Sequence, residues 1–579
     1  MVQLVKKTFG KYSYYYLVEK KKVDGKVKTL WQIYLGTPEK IAEFYRAHKD
    51  LPEVKLKSFP FGLDAALLAV SDDLGFVDVV DTHTSKKKIK GLTVGEYALL
   101  VLMGRCSAPV SKEGVERWFN KDTFLHLLWS FPHQLSGQNV RNHLDYLLTP
   151  EEESRGDPGA IRNIEEDLAR ALLVQGVKPT TLIWDTTNVF THIEKGGKLL
   201  KKTKSKQMRF DKNHVAFGLA VSQENIPFLS EVYEANEPDV TLFPKVFGRL
   251  VDRLVRLNID TEGLTLVFDK GNNSVDNLKA VLGHMHVVGA LRRDHPVAAE
   301  LLAIDAKEYE PLYTTGKGHA VTGLRRDDVG LFGMDRPFTV VAKHNDGTRR
   351  KQEGTYDRTT ARIIETLEEL KAKAGRVGGR GRRMTEEGLH RAINDAIYKD
   401  YRALFHYTVR KKEVEIPGKN RRSTILDLEY WLDEEKERER PEGFGKSVLF
   451  TDNTGWSTAD ISKAYDSKNI IEDDFACFKG RLFVRIMPIE VRKDNRVRVH
   501  VELCVWGMLF YRYLARKLKT MGIDVTFGRM IEELKDIRLA VVENKESNKI
   551  EIKLEEMNPL QARIFTALNL ARYIPESKR

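Results

Sequence analysis

The stretch from residue 181 to 293 constrains the fold more than any other part of this chain. TLIWD (181–185) is a short apolar run ending in an acid, and HVAFGLAVS and IPFLSEVYEA follow as two further strand candidates. TLFPKVFGRLVDRLVRL has the 3–4 apolar spacing of an amphipathic helix. LTLVFD (264–269) is a second apolar run ending in an acid, and a helix from Ser274 and the strand MHVVGALRR come next. Three strands, a helix, a strand, a helix and a strand predict a mixed α/β sheet.

The flanks read differently. Residues 1–60 carry 13 Lys and Arg against 6 Asp and Glu. There YYYLVEKKKV, Asp24-Gly25 and KVKTLWQIYLG predict a β-hairpin, because Asp-Gly suits a tight primed turn. Lys20, Lys21 and Lys22 interleave with aromatics on it, which suits a DNA-contacting ribbon; a solvated hairpin is the competing reading. Thr37 and Pro38 predict a helix start. Residues 61–176 read as mainly helical, with a Thr93–Glu96 capping box and Ser136 as a cap. Residues 177–295 form the first part of the α/β core. Residues 296–445 break the rhythm with an Asn345-Asp346-Gly347 turn, GRVGGRGRR (375–383) and DEEKERERPE, and read as an insertion. SVLFTDN (447–453) resumes the core, assigned to 446–520, and 521–579 read as a helical C-terminal region.

At 579 residues the chain is long enough for several domains, and 41% hydrophobic residues provide packed cores. The formal charge of +12 favours a polyanionic partner. Cys106, Cys477 and Cys504 are far apart, which argues against a structural zinc site or a disulfide framework. No signal-like N-terminus is visible, and LCVWGMLFYRYLA is too short to span a bilayer, so a cytoplasmic protein without a membrane partner is expected.

Two acids at the ends of neighbouring strands repel unless a cation sits between them. Asp185 and Asp269 suit a hard divalent cation, although each taken singly suits an ordinary turn. STADISKAYDSKNIIEDDFACFKG starts on a Ser457–Asp460 capping box and reads as one helix ending at Gly480. At about 100° per residue, Tyr465, Lys468, Glu472 and Lys479 fall within about 60° of one another on it. Asp473 and Asp474 point elsewhere. A carboxylate flanked by two cations and a phenol suits a metal ligand beside a phosphate backbone; a salt-bridged solvated face is the alternative.

Tyr465-x2-Lys468-x3-Glu472-x6-Lys479 resembles the Tyr-x2-Arg-x3-Glu-x6-Lys signature of insertion-sequence transposases with an Asp-Asp-Glu triad. WDTTN around Asp185 and FDKGNNSVDNL around Asp269 resemble that family's acidic motifs. EANEPD (234–239) resembles its Gly-Asn-x-x-Asp segment, and RVHVELCVWGMLFYRYL its closing histidine-containing helix. The likeness covers roughly residues 180–520. Lys468 replaces the signature arginine and loses its planar two-pronged grip. The 203 positions from Asp269 to Glu472 leave room for the family's insertion.

The resemblance implies a ribonuclease-H-like catalytic domain preceded by a β-hairpin and helical DNA-binding region. It implies that Asp185, Asp269 and Glu472 hold two Mg2+ or Mn2+ ions, while Tyr465, Lys468 and Lys479 position DNA. The expected reaction is cut-and-paste transposition on terminal inverted repeats and target DNA, by a homodimer on DNA in the nucleoid. His214 matches a family position near the site, with a structural histidine as the alternative. A nuclease of the same fold that does not join strands, or a non-catalytic DNA-binding derivative, are the rival readings.

Overall fold

The computed structural model describes residues 2–23, 26–47, 54–84, 91–131, 133–203, 208–377, 384–415, 421–480, 484–487, 489–544 and 550–576. The Asp24-Gly25 turn, Lys204–Gln207 and most of the GRVGGRGRR tract lie outside them. The chain divides into two compact units, one of residues 1–66, 117–130 and 518–579 and one of residues 67–116 and 131–517.

The first unit holds two three-stranded antiparallel sheets. The predicted hairpin strands, Tyr12–Val23 and Lys26–Gly36, pair with each other, and Val2–Phe9 adds a third strand. Exposed Tyr12, Leu30, Trp31, Ile33 and Tyr34 stand on this basic sheet, with Tyr16 and Tyr34 rings 5.2 Å apart. The helix Pro38–Ala47 follows, with Thr37 Oγ1 accepting from the Lys40 amide. The second sheet corrects the helical reading of 521–579. Arg538–Asn544 is its central strand, between Ile550–Leu554 and Val54–Pro60. Its partner lies nearly five hundred positions away in sequence, and local pattern carries no trace of such pairing.

In the second unit, the Thr93–Glu96 capping box and the Ser136 cap form on the helices Val94–Ser107 and Gly137–Leu144. The α/β part contains β1 (Thr181–Thr191), β2 (Asn213–Ser222), β3 (Pro227–Glu234), α1 (Asp239–Arg256), β4 (Thr265–Phe268), α2 (Val275–Leu282) and β5 (His286–Ala290). It continues with β6 (Glu310–Thr314), β7 (Ala320–Gly330), β8 (Pro337–Asn345), α3 (Asp346–Ala374) and α4 (Glu386–Ala396). β9 (Phe405–Glu415), β10 (Arg422–Leu432), β11 (Lys446–Thr451), α5 (Thr458–Asp466), α6 (Lys468–Lys479) and α7 (Asp494–Thr520) complete it.

One mixed sheet of nine strands runs β6-β7-β8-β11-β5-β4-β1-β2-β3. β1, β2 and β3 form an antiparallel meander, while β4 is parallel to β1 and β5 is parallel to β4. Parallel neighbours need crossovers, and α1 and α2 provide them. On the α1 and α2 face, Leu182, Trp184, Leu266 and Phe268 pack with Phe243, Phe247 and Leu278. On the other face Phe475 and Phe478 of α6 set their rings edge-on to Phe217 of β2.

The expected insertion divides. β6, β7 and β8 extend the sheet through β11, so residues 310–345 are not separate from it. The charged run LRRDD inside β7, itself half-buried or exposed, hid the strand. Residues 346–432 build a core of their own around Ile363, Leu367, Leu389, Ile393 and Leu428. Asn345 is not in a turn: its Oδ1 accepts the Thr348 amide (3.0 Å) and caps α3, a role Asn favours at helix starts. Among the described residues no helix is long and apolar enough to cross a membrane.

Candidate functional site

The site begins where the parallel ladder stops. β1 and β4 pair from Thr181↔Thr265 to Trp184↔Phe268; Asp185 is the next residue of β1, and Asp269 directly follows β4. Neighbouring strands lie about 4.8 Å apart, so the two acids stand side by side where the parallel pairing ends. Trp184 and Phe268 point into the α1 and α2 core, so alternation turns Asp185 and Asp269 toward the α6 face. Asp269 keeps an extended backbone (φ −77°, ψ 154°) before the chain turns away. Beyond this point β1 has β2 on one flank, and the two acids stand at the carboxyl ends of the parallel strands, where ligands of α/β sheets bind.

β1 does not end at Asp185, as the apolar run suggested. It continues to Thr191, because β2 pairs with it from Leu182↔Ser222 to Thr191↔Asn213. The polar TTN is thereby carried inside a strand, and its hydroxyls find partners. Thr186 Oγ1 donates to Asp239 Oδ2 (3.0 Å), and Lys479 Nζ donates to Thr187 Oγ1. The Thr186 amide donates to Asp185 Oδ1 (2.7 Å).

The predicted single helix is two, α5 and α6, divided at Ser467, whose Oγ donates to the Ala464 carbonyl. Ser467 keeps right-handed backbone angles (φ −60°, ψ −17°), so the signature residues keep nearly the same stripe. Lys468 Nζ donates to Asp269 Oδ1 (2.7 Å) and lies 4.7 Å from the Tyr465 ring centre. Lys468 at one end of α6 thus meets β4, and Lys479 at the other meets β1. Glu472 lies on the stripe between them and is exposed.

Charge follows this geometry. Burial pushes the Asp269 carboxyl up, but the Lys468 ammonium outweighs it and holds the acid below its usual range. Burial pushes Lys468 down, yet Tyr465, Asp269 and Asp185 together keep it above its ordinary value. Burial raises Tyr465, which stays a phenol and an O–H donor at neutral pH.

Asp474, one residue beyond Asp473, is wholly buried, and Arg512 of α7 pairs with it. Burial pushes its carboxyl up to about 6 despite Arg512. Asp474, which points away from Glu472, thus ties α6 to α7.

Asp239, the acid of EANEPD, opens α1 and serves the opposite sheet face. Its oxygens accept from Tyr233 OH (3.0 Å) and Thr186 Oγ1 (3.0 Å). Thr187 and Tyr233 escaped sequence reasoning, although a polar TTN directly after an acid in an apolar strand was the available signal. His214 is buried in β2, with neither ring nitrogen hydrogen-bonded among the described residues, and burial lowers its pKa. Lys20, Lys21 and Lys22 lie on the Tyr12–Val23 strand of the other unit, with the Lys20 side chain exposed.

Asp185, Asp269 and Glu472 offer only carboxylate oxygen, the donor type of hard divalent cations, and the Lys468 ammonium marks a point where Asp269 attracts a cation. The two aspartates fit such an ion. Among the described residues no three acidic, His or Cys side chains stand close enough to hold a metal, so Glu472 is not drawn in. No protein-family model matches this chain, and no curated protein matches it in sequence.

Proposed function

We propose that this chain is a DNA transposase of the Asp-Asp-Glu type, with a ribonuclease-H-like core and Asp185, Asp269 and Glu472 as its acids. The observation that carries the reading is the register of Asp185 and Asp269 at the end of the parallel pair, with Lys468 of the signature helix on Asp269. The meander β3-β2-β1 followed by parallel β4 and β5 supports it, since that strand order is the one expected of a ribonuclease-H-like core. The basic, aromatic-bearing sheet of the first unit supports a DNA partner.

In this reading Asp185, Asp269 and Glu472 would hold two Mg2+ or Mn2+ ions, which would supply positive charge for the attacking and departing oxygens of a phosphodiester. The chain's own residues do the rest. Tyr465 donates its phenolic hydrogen to a phosphate oxygen. Lys468 leaves Asp269 for the strand, and Lys479, seated on Thr187, holds the next phosphate. Water attacks phosphorus and the DNA 3′ oxygen leaves, taking up the proton that water loses; that 3′-hydroxyl then attacks a phosphodiester of the target, whose own 3′ oxygen leaves and takes up the proton.

The test uses DNA fragments from either side of the gene, labelled and incubated with the full chain and Mn2+. The reading expects 3′-hydroxyl ends that become joined to a plasmid. Cleavage without joining of a pre-cut end supports the nuclease instead, and binding without metal-dependent nicking supports the non-catalytic derivative.

A further inference from the structure

Outside this site the second unit gathers several cations around one small cavity. A cavity of about 170 Å³ is lined by Arg105, Lys112, Arg141, Glu490 and His500, among others. Arg105 comes from the helix Val94–Ser107, Lys112 from the segment after it, and His500 from α7. His500 Nε2 lies 2.9 Å from the Ile486 carbonyl and must carry the proton there, leaving Nδ1 as an acceptor. Lys112 Nζ, 3.4 Å from Nδ1, is the donor. Burial, Lys112 and Arg105 together hold His500 far below its usual pKa, so it is neutral and cancels no charge.

The other cations nearby are already satisfied. Arg141 pairs with Glu113, and Arg496 forms a two-pronged pair with Asp145. Arg105 donates from Nη1 to the Val110 carbonyl (3.0 Å), but its Nε and Nη2 are buried without a hydrogen-bond partner among the described residues. The Cys504 thiol beside it is pushed up by burial and stays uncharged. Two carboxylates line the cavity, Glu113 and Glu490, but both are exposed, and Glu113 is taken by Arg141. Among the described residues Arg105 and Lys112 thus share one polar cavity with no buried anion against them, an arrangement that costs free energy until an anion enters.

We propose that this cavity, with Arg105 and Lys112 as its donors, is a binding site for one tetrahedral phosphate group. The space suits a single oxyanion and is too small for a whole nucleotide. The phosphate is either inorganic or the terminal phosphate of a nucleic acid. The site does not depend on the reaction assigned to Asp185 and Asp269.

The test is calorimetric titration and thermal melting of the full chain with inorganic phosphate, against chloride at equal ionic strength. Wild type is expected to bind and to melt higher in phosphate. Lys112→Met should bind phosphate about tenfold more weakly, having lost a charge-assisted donor. It should melt higher than wild type without phosphate, because an uncompensated cation is gone. Glu490→Gln should bind phosphate at least as well as wild type. Tungstate soaked into wild-type crystals should give density between Lys112 and Arg105, a readout that needs no variant. A short oligonucleotide with and without a 5′-phosphate separates the sources: competition only by the phosphorylated form assigns the site to nucleic-acid ends, and competition by neither assigns it to the inorganic ion. Equal phosphate stabilisation of wild type and Lys112→Met, no phosphate effect on wild type, or tungstate lying elsewhere overturns the proposal.

Discussion

Lys468→Met tests whether the signature cation stands where a divalent ion is to bind. Lys468 Nζ lies 2.7 Å from Asp269 Oδ1, with the lysine side chain 11% and the aspartate 48% exposed. At an effective dielectric constant of about 20, opposite charges this close attract by roughly 6 kcal/mol. Asp269 is half open to water, so screening and lost side-chain freedom cut the net value to about 1 kcal/mol. An incoming ion must displace that ammonium and also feels its repulsion. Removing it should therefore tighten divalent binding by about 1–2 kcal/mol, roughly five- to thirtyfold. The assay is calorimetric titration of Mn2+ or Ca2+ into the full chain without DNA. Lys468→Arg keeps the charge and should stay near wild type, while Asp269→Asn should lose binding. Unchanged or weaker Mn2+ affinity in Lys468→Met, with Asp269→Asn still defective, would refute the reasoning.

Other predictions follow from burial and pairing. Asp474→Asn leaves Arg512 without its buried partner and should cost about 3–5 kcal/mol of stability, read by denaturant unfolding. Phe478→Ala removes a fully buried ring from the contact of α6 with Phe217 and should cost about 3–5 kcal/mol in the same assay. Burial and Glu165 raise the Glu502 carboxyl, so its contribution to stability is full below about pH 4.5 and is lost as pH rises through the raised folded value. Melting of wild type should therefore fall across that window, and Glu502→Gln, which mimics the protonated acid, should flatten the fall. Thr187→Val removes the acceptor of Lys479 and should weaken DNA binding while changing the melting temperature little; an unchanged gel shift contradicts it.

The sheet from β1 to β5 was legible in the sequence because each strand there is a short apolar run bounded by turns or helix starts. β7 was not, since Arg325, Arg326, Asp327 and Asp328 break its pattern and only pairing with β6 and β8 makes it a strand. The strands at 538–544 and 550–554 were missed for a similar reason: their third partner begins at Val54. At the site, helical spacing grouped Tyr465, Lys468, Glu472 and Lys479, and the structure seats Lys468 and Lys479 on neighbouring strands. Helical spacing turned Asp474 away from Glu472 but gave no hint that Arg512 waits for it. The far end of that pair comes from another helix. The polar TTN hinted at Thr187, but its partner Lys479 lies far along the chain, and Tyr233 takes its role from a hydrogen bond to Asp239 that no residue pattern marks.

The most direct measurement is Mg2+-dependent cleavage and joining of DNA from the gene's flanks by Glu472→Gln, beside Asp473→Asn and wild type. Only Glu472 of the two shares the stripe that carries Lys468 and Lys479, and glutamine keeps its shape while losing the charge a metal ligand needs. The account predicts that Glu472→Gln binds the DNA and melts like wild type but neither cuts nor joins, whereas Asp473→Asn does both. Cleavage by Glu472→Gln at the wild-type rate, or wild-type cleavage undiminished in excess EDTA, would contradict it.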